Sequence, residues 1–279
     1  MLNAGSIRWI GVTILVGLSL SVASTAWAQA LSVVPGGVVR WPGRQLRQCG
    51  FDARRWQPLA TECWYPVDLL QPAGPMELTR WQEDGTRETV TIQVGTYPYE
   101  VQHITVEDTS KVDLSKEDLE RVERENRSIA ALWSRESERR FELPLGKPLG
   151  RLPPGGRFGA RRYFNNSPRS PHTGVDFPAA AGTPILSVAA GTVLLTGDFF
   201  FSGRSVFVDH GDGLISMYFH MSAIAVETGD TVDRGEVLGR VGQTGRATGP
   251  HLHFALRWHG DRIDPGLLLQ PVAEVPALP

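Results

Sequence analysis

The sequence predicts a mainly β protein in which a small β-sandwich-like domain, a connecting α-helix and an antiparallel β domain follow one another. Before residue 108, short alternating apolar runs are separated by Pro and Gly, as in a sandwich of short strands. Residues 115–140 are highly charged and contain neither Gly nor Pro, which favours a helix. From residue 145 to 270 short strands alternate with glycine turns, and no run of helical periodicity occurs there.

The first 28 residues have the pattern of a secretory signal peptide. Arg8 precedes an uncharged run from Trp9 to Val22, and the small-residue signature Ala26-Trp27-Ala28 precedes Gln29. Cleavage is expected after Ala28, which would leave a periplasmic or secreted protein without a stable membrane span. An uncleaved N-terminal anchor is the alternative.

The charge balance gives no reason to expect a nucleic-acid or anionic-membrane partner. Removal of residues 1–28 takes away one Arg and no acidic residue, which leaves 27 basic and 30 acidic residues and a formal net charge of −3. A balance this close to neutral provides no electrostatic attraction to a polyanion. The roughly 250 remaining residues are enough for one large core or two modest ones.

Residues 29–108 are expected to form the N-terminal β-sandwich-like domain. Asp84-Gly85 is a hairpin signal, and Val90, Ile92 and Val94 alternate with polar residues after it. Cys49 and Cys63 are predicted to form a disulfide, because they lie close together in a chain expected to be exported. Such a loop would contribute roughly 3 kcal/mol to stability. Free thiols or half of a metal site are the alternatives.

Residues 109–144 are expected to be a helical connector. Ser115-x-x-Asp118 is a capping signature at its start. Apolar residues recur on one face at helical spacing, namely Leu119, Val122, Ile129 and Trp133. This narrow apolar stripe indicates a helix that lies against a domain, with its charges in solvent. A docking surface for a protein regulator, on this helix or on the N-terminal domain, is the alternative.

Residues 145–270 are expected to form the antiparallel β domain, with residues 271–279 as a disordered Pro/Ala tail. Six strands are predicted, over 185–188, 191–196, 205–210, 214–220, 236–241 and 251–258. Gly211-Asp212-Gly213 is predicted to be a hairpin turn between two of them.

Five side chains in this region are candidates for a metal site. His251 and His253 are two apart in a predicted strand, so both imidazoles point to one face with Cα atoms about 6.6 Å apart. His172 and Asp176 would be about 13 Å apart in extended chain, so a bend at Thr173-Gly174 is needed for both to reach one ion. Read alone, the first pair is equally compatible with a strand facing water, and the second with a surface loop.

Imidazole and carboxylate donors suit Zn²⁺, and a catalytic zinc keeps three protein ligands with water in the fourth position. His172, Asp176, His251 and His253 already exceed three, and His220, at the end of another predicted strand, makes a fifth candidate. Spacing does not decide which of them are ligands. A hydrolase needs additional groups of this kind to accept a proton and to stabilise the developing oxyanion.

The region from about residue 145 to residue 269 resembles peptidase family M23, the LytM/lysostaphin-type zinc endopeptidases. Seven ordered blocks carry the resemblance: His172-Thr-Gly-Val-Asp176, Gly182-Thr-Pro-Ile, Gly191-Thr-Val, Val208-Asp-His-Gly-Asp-Gly213, Tyr218-Phe-His-Met221, Gly242-Gln-Thr-Gly245 and Gly249-Pro-His-Leu-His-Phe254. The resemblance implies a LytM-type β-sheet groove, one Zn²⁺ and hydrolysis of peptide cross-links in bacterial peptidoglycan.

The resemblance also assigns roles to individual residues. It implies that His172, Asp176 and His253 are the zinc ligands. It implies that His251 is the general base that accepts a proton from water, and that His220 positions the water and stabilises the oxyanion. Phe219 departs from the pattern, because a small residue is common before that histidine. We expect this difference to alter the shape of the groove more than its chemistry.

Other residues near these blocks receive weaker assignments. The segment Arg161-Arg162-Tyr163-Phe164-Asn165 is expected to form a groove wall. His210 could line the groove, but a structural hydrogen bond is the favoured interpretation. His103 and His259 belong to no constellation and are expected at the surface or in packing.

Three functions are compatible with this sequence. The first is an exported zinc endopeptidase that cuts peptidoglycan stems, with the D-alanyl to diaminopimelate bond as the expected target because the compartment resembles a Gram-negative periplasm. The second is a metal-free regulator of other cell-wall hydrolases, which the intact candidate residues argue against. The third is a zinc peptidase that acts on proteins of the cell envelope.

Overall fold

A computed structural model describes residues 31–105, 113–156 and 158–279, and it is mainly β-structure, as predicted. The signal-peptide prediction over residues 1–28 lies outside the described residues. Within the described part of the chain, no helix combines the length and apolar character needed to cross a membrane.

The N-terminal region forms two sheets around a buried core. Its strands are β1 (Ser32–Val33), β2 (Val38–Pro42), β3 (Leu46–Phe51), β4 (Arg54–Trp56), β5 (Glu62–Pro66), β6 (Gly74–Gln82) and β7 (Arg87–Val94). Five of them form one sheet in the order β1-β7-β6-β3-β4, and β2 pairs with β5 in the other. Ile92 and Val94 of the predicted alternating strand point into the core and are buried.

The disulfide prediction is confirmed, because Cys49 and Cys63 are bonded to each other. Cys49 lies in β3 of the larger sheet and Cys63 in β5 of the smaller one, so the bond joins the two sheets. Both residues are fully buried within the N-terminal core. The disulfide therefore cross-links the two halves of the sandwich through its interior.

Strand β8 (Val101–Ile104) does not join either of these sheets. It runs parallel to β9 (Arg161–Phe164), which also pairs with β10 (Ser167–Pro168), in a separate three-stranded sheet. This pairing differs from the expected N-terminal domain of residues 29–108, which would have kept the strand with the sandwich. Two tyrosines before β8 explain why the strand lies with the C-terminal region. The Tyr97 hydroxyl donates to the Gly159 carbonyl, and the Tyr99 ring packs edge-on against Phe158.

The connecting helix α1 (Lys116–Ala130) begins where the capping signature predicts. The Ser115 hydroxyl accepts a hydrogen bond from the Asp118 backbone N–H at 3.1 Å. The helix ends at Ala130, earlier than the predicted residue 140, and continues as a turn that places Leu132 and Trp133 on the next domain. Ile129 packs there as predicted, whereas Leu119 is 48 % exposed.

The C-terminal region is built on a nine-stranded antiparallel sheet. Its strands are β11 (Val175–Pro178), β12 (Pro184–Leu186), β13 (Gly191–Phe199), β14 (Gly203–Asp209), β15 (Leu214–Ile224), β16 (Thr231–Val232), β17 (Val237–Val241), β18 (His251–Trp258) and β19 (Asp261–Ile263). The principal order is β11-β18-β15-β14-β13-β16, while β17 pairs with β12 and β15 and β19 pairs with β18. A short helix, α2 (Gly266–Leu269), follows.

Successive side chains of β18 point alternately into the main core and towards the face that carries the candidate residues. Leu252, Phe254 and Leu256 point into the main core and are fully buried. His251 and His253 point to the opposite face of the strand, because successive side chains alternate. Helix α1 packs on that same face farther along, against Ala255 and its neighbours. One face of the sheet therefore packs in the main core, and the other face carries both helix α1 and the candidate residues.

The C-terminal tail is ordered in the structure, so the prediction of a disordered tail over residues 271–279 is wrong. After a 3-10 turn at Val272–Glu274, the backbone pairs with β2: Arg40 N–H donates to the Pro276 carbonyl, and Leu278 N–H donates to the Arg40 carbonyl, both at 2.8 Å. Leu278 is buried in the N-terminal core. Burial of apolar side chains and these two backbone bonds outweigh the turn-forming composition of the tail.

The two β-rich regions also share one continuous core. Val38, Trp64 and Leu69 of the N-terminal region belong to the same buried cluster as the C-terminal sheet. The Asp68 carboxylate accepts hydrogen bonds at 2.9 Å from the Arg262 backbone N–H and from its Nε. These contacts fix the N-terminal region against the sheet that carries the site.

Candidate metal centre

Three side chains converge into a donor cluster, made up of His172, Asp176 and His253. Asp176 in β11 lies directly opposite His253 in β18 in the register of the sheet, and His172 approaches from the segment before β11. His253 Nδ1 is 2.9 Å from Asp176 Oδ1, His172 Nε2 is 3.0 Å from the same oxygen, and the two ring nitrogens are 2.8 Å apart. Among the described residues, this triad is the group of potential ligands close enough to hold one metal ion.

The donor set and its spacing fit a tetrahedral Zn²⁺ site. Ligand bonds of 2.0–2.1 Å at tetrahedral angles place ligand atoms about 3.3 Å apart. The measured separations are a few tenths of an ångström shorter, so a bound ion requires only a slight outward adjustment. Two imidazole nitrogens and one carboxylate oxygen are donors that zinc accepts.

The protonation states of the cluster also suit a metal. Burial lowers the pKa of His172 to about 4 despite its hydrogen bond with Asp176, so its imidazole is neutral at pH 7. Burial alone would raise the pKa of Asp176, but hydrogen bonds from His172 and His253 lower it well below its usual range. The cluster therefore offers a neutral imidazole and an ionised carboxylate, the forms that bind metal.

Gly174 allows the donor cluster to close, but for a different reason from the predicted one. The sequence suggested that glycine provides unusual dihedral angles for the bend, yet Gly174 does not adopt a positive φ. The need is for space: a Cβ at this position would lie 2.5 Å from the Phe254 carbonyl oxygen and 2.7 Å from His253 Nε2. A side chain of any kind at residue 174 would push against the ring of a candidate ligand.

His220 and His251 lie beside the cluster, with ring centroids 4.8 Å apart. His251 Nδ1 lies 2.8 Å from the Gly249 carbonyl, and His220 Nδ1 lies 2.8 Å from the Thr244 carbonyl. A carbonyl oxygen can only accept, so each Nδ1 is the donor and carries the hydrogen. In the neutral rings each Nε2 is therefore left with its lone pair, and that of His251 is 3.7 Å from Asp176 Oδ1.

The backbone around His220 is held in an uncommon conformation. His220 has φ of +64°, which costs free energy for a residue with a side chain and recurs at functional sites. Its N–H donates to the Ser202 carbonyl at 2.9 Å, and Gly242 packs so closely that a Cβ there would lie 2.8 Å from the His220 carbonyl oxygen. Burial, and then the charge of His253, lower the pKa of His220 to about 3.

Phe219 contacts a candidate ligand directly. Its ring stacks parallel to that of His253, with an interplanar angle of 1° and centroids 5.2 Å apart. Phe219 also packs against Phe207 and the cluster of apolar side chains beneath helix α1. The residue that departs from the family pattern therefore connects the helix-covered part of the sheet to the donor cluster.

A cavity of about 840 Å³ opens over these residues. Asp176, His220, His251 and His253 line its base, and Arg162 and Phe164 of the predicted groove wall line one side. Sequence reasoning missed two further contributions: residues 102–105, which are most of β8 and the residue after it, and residues 245–250 of the loop before β18. The loop carries family motifs and could have been found, whereas the β8 wall depends on pairing with a distant strand.

The remaining histidines have the roles that the sequence favoured, with one exception. His210 is fully buried and bonds to the Ala190 carbonyl at 2.8 Å and to Ser216 Oγ at 2.7 Å, so it does not line the cavity. His259 stacks on Trp56 between the two regions. His103, expected only at the surface or in packing, is one of the cavity-lining residues and stacks on Tyr163.

Comparison with known proteins agrees with this geometry. Residues 170–265 match the model of peptidase family M23. A Pseudomonas aeruginosa crystal structure assigned to peptidase M23 is 34 % identical, covers 85 % of this chain and 94 % of its own, and superimposes with a TM-score of 0.65.

Two curated relatives each match about a third of this chain. They are the DD-carboxypeptidase/endopeptidase Mpg of Neisseria gonorrhoeae, 39 % identical over 104 residues, and the peptidoglycan DD-endopeptidase ShyA of Vibrio cholerae, 41 % identical over 95 residues. The matches cover 37 % and 34 % of this chain, and 24 % and 22 % of those proteins, so the chain spans about a quarter of the length of these relatives. The match to the Pseudomonas protein over nearly its whole length shows that this chain belongs to peptidase family M23.

Proposed function

We propose that this protein is an exported zinc metalloendopeptidase that hydrolyses the peptide cross-links of bacterial peptidoglycan, as a DD-endopeptidase. The observation that carries the proposal is the donor cluster at the base of an open cavity, with two further imidazoles beside it. The names of the curated relatives, a peptidoglycan DD-endopeptidase and a DD-carboxypeptidase/endopeptidase, support the substrate class.

In this proposal His172, Asp176 and His253 hold Zn²⁺. When bound, zinc supplies a Lewis acid that polarises the scissile carbonyl and lowers the pKa of water towards neutrality. Asp176 is set in position by its neighbours, since its second oxygen, Oδ2, accepts a hydrogen bond from Arg162 Nη2 at 3.2 Å. The stacked ring of Phe219 restricts rotation of the His253 imidazole.

His251 is the proposed general base. Its Nδ1–H is engaged by the Gly249 carbonyl, so the lone pair of Nε2 is directed towards the donor cluster and can accept a proton. Burial lowers the pKa of His220 to about 3, so its ring is neutral at pH 7. Its neutral ring accepts a hydrogen bond from the attacking water through Nε2 and so positions it, and the family resemblance assigns His220 a part in stabilising the oxyanion.

Export and periplasmic location are part of the same proposal. They rest on the signal-peptide pattern of residues 1–28 and on the Cys49–Cys63 disulfide, which is a type of bond that persists in oxidising compartments. The N-terminal region contributes a wall of the cavity through β8, so we assign it a part in substrate binding. A protein regulator that docks on this region or on helix α1 stays a prediction.

The test is hydrolysis of purified peptidoglycan sacculi by zinc-loaded protein that begins at Gln29. Mass spectrometry of the released fragments should show cross-linked stems converted to monomers, and chelation followed by zinc addition should abolish and restore this activity. Cleavage of casein without release of muropeptides would favour a peptidase of envelope proteins. A folded protein that binds no zinc would favour a metal-free regulator.

Two histidine variants separate the assigned roles. His253→Ala should lose both zinc and turnover, because it removes a ligand, whereas His251→Ala should keep zinc and lose turnover. Zinc content by elemental analysis and turnover on sacculi are measured on the same preparations. Equal loss of zinc in the two variants would show that the roles are assigned wrongly.

A further inference from the structure

The candidate ligand His253 has a neighbour on each side of it in the sheet. In the strand order β11-β18-β15, Asp176 lies directly opposite His253 on one side, and Phe219 lies directly opposite it on the other. Residues opposite one another in antiparallel strands point to the same face. Asp176 Oδ1 lies 2.9 Å from His253 Nδ1, whereas Phe219 stacks on the imidazole with the two ring planes 1° apart. A hydrogen bond on one side and a stacked ring on the other therefore hold the orientation of His253.

Phe219 belongs to a row of three aromatic rings on strands β13, β14 and β15. Its ring centroid lies 5.5 Å from that of Phe207, and the Phe207 centroid lies 5.9 Å from that of Phe199 at the end of β13. Aromatic rings at such separations attract one another. Ile129 of helix α1 and Trp133 in the turn after it pack against the apolar cluster that contains these rings. The helix therefore covers the row of rings that ends at His253.

Two polar contacts tie the middle of helix α1 to the sheet. Arg121 Nη2 donates to the Asp198 carbonyl at 2.8 Å, and Glu125 Oε2 accepts a hydrogen bond from the Phe200 N–H at 2.9 Å. No side chain of α1, all of which the structure describes, is fully buried. A cavity of about 230 Å³ remains between the helix and the ring of Phe219. The helix therefore covers this ring without packing tightly on it, so the space available to the ring depends on how the helix docks.

We propose that Phe219 is a positioning residue for His253, and that through Phe219 the docking of helix α1 sets the zinc affinity of the donor cluster. The inference rests on the proposed zinc site and names what holds one of its ligands in place. With the helix docked, the stacked ring keeps the imidazole in the orientation in which Nδ1 faces Asp176. When the helix loosens, the Phe219 ring turns into the widened cavity, and a smaller fraction of molecules presents His253 in that orientation. The apparent affinity for the metal falls by the same fraction.

Two variants of Phe219 test its positioning role. Phe219→Leu keeps an apolar side chain but removes the flat ring, so the Kd for zinc should rise about 2- to 12-fold, the range for one aromatic contact. Phe219→Tyr keeps the ring and should bind zinc as the unaltered protein does. Cobalt(II) in place of zinc gives a second readout, because its visible absorption reports the geometry of its ligands. Phe219→Leu should change this spectrum and Phe219→Tyr should not, whereas a role in stability alone would leave the spectrum unchanged in both.

Two variants of helix α1 test whether its docking reaches the metal site. Glu125→Ala removes the bond to the Phe200 N–H and should weaken zinc binding by about twofold or more, but by no more than Phe219→Leu does. The matched control is Glu123→Ala in the same helix, because the Glu123 side chain is 69 % exposed and lies 4.0 Å from Arg127. This control should bind zinc as the unaltered protein does. The double variant Glu125→Ala/Phe219→Leu should have the affinity of Phe219→Leu alone, because the helix acts through that ring.

The outcomes separate this inference from the proposed function. Unchanged zinc affinity in a folded Phe219→Leu or Glu125→Ala variant, an equal loss in Glu123→Ala, or losses that add in the double variant would overturn the inference and leave the peptidase intact. Failure of the unaltered protein to bind zinc would overturn both. Thermal unfolding of each metal-free variant checks its folding. Glu125→Ala removes no buried apolar group, so it decides the question even if Phe219→Leu does not fold.

Discussion

Substitution of Gly174 by Ala should weaken the donor cluster without removing any ligand. A Cβ at residue 174 would lie 2.5 Å from the Phe254 carbonyl oxygen, 2.7 Å from His253 Nε2 and 2.9 Å from the Ala255 Cβ. Contacts of Cβ atoms below 3.0 Å are essentially never observed, so the carbonyl must retreat by about 0.5 Å and the imidazole by about 0.3 Å. Two of these neighbours, the Phe254 carbonyl oxygen and the Ala255 Cβ, cannot rotate away.

The magnitude follows from the precision that metal sites require. Metal–ligand distances are held within about 0.2 Å, so a displacement of His253 by 0.3 Å exceeds what the site tolerates. Overpacking of this kind costs about 1–3 kcal/mol. If most of that strain is relieved by moving the imidazole, the affinity for zinc falls by about 5- to 150-fold.

The assay is zinc affinity by competition with a chromophoric chelator, combined with thermal unfolding of the metal-free protein. Gly156→Ala is the matched control, because Gly156 pairs with Asp176 across an isolated bridge and a Cβ there meets nothing within 4 Å. Gly156→Ala should bind zinc as the unaltered protein does. Unchanged affinity in Gly174→Ala, or an equal loss in Gly156→Ala, would refute the steric account of this position.

Three further predictions concern stability. Burial lowers the pKa of His210 to about 4, so this residue stabilises the metal-free fold above pH 6.5, and that contribution, about 3 kcal/mol, is lost as the pH falls towards 4. In the His210→Gln variant, the free energy of unfolding should therefore depend less on pH between 6.5 and 4. An unchanged pH dependence would contradict the lowered pKa of His210. Replacing Cys49 and Cys63 together by Ser should lower the unfolding free energy by about 3 kcal/mol in denaturant titrations, and no loss would show that the cross-link is not stabilising. Leu278→Ala should cost about 2 kcal/mol or more because Leu278 is buried in the N-terminal core, and full stability would contradict the packing of the tail.

The candidate site was accessible to sequence reasoning because its residues lie in ordered motifs. Side-chain alternation placed His251 and His253 on one face of a strand, and the structure shows this arrangement. Family resemblance supplied what spacing left open, namely that His172 and Asp176 reach the same point. The structure brings the three predicted ligands within hydrogen-bonding distance of one another.

The features that sequence reasoning missed depend on contacts between distant segments. β8 pairs with β9 about 60 residues later, and the tail near Leu278 pairs with Arg40 at the opposite end of the chain. No local pattern identifies such pairing partners, because almost every residue offers the same backbone N–H and C=O groups. The packing of Arg246 against the rings of Phe164 and Phe201 has the same origin, because the two rings come from segments far apart in the chain.

The end of helix α1 illustrates a local pattern overridden by packing. Residues 131–140 contain no Gly or Pro to stop a helix, yet the helix ends at Ala130. Leu132 and Trp133 pack onto the sheet in the turn that follows, and the Trp133 ring lies under Arg257, with the guanidinium carbon 4.3 Å from its centroid. Burial of these side chains stabilises the turn by more than the intrinsic helix propensity of a few residues.

The central claim is that His172, Asp176 and His253 together hold one metal ion. Crystals of the zinc-loaded protein, measured on both sides of the zinc absorption edge, test it most directly. The account predicts a single anomalous peak about 2 Å from His172 Nε2, Asp176 Oδ1 and His253 Nδ1, with an open fourth position facing the cavity. A zinc peak elsewhere, or one bound by His251 or His220 in place of a member of this cluster, would contradict it.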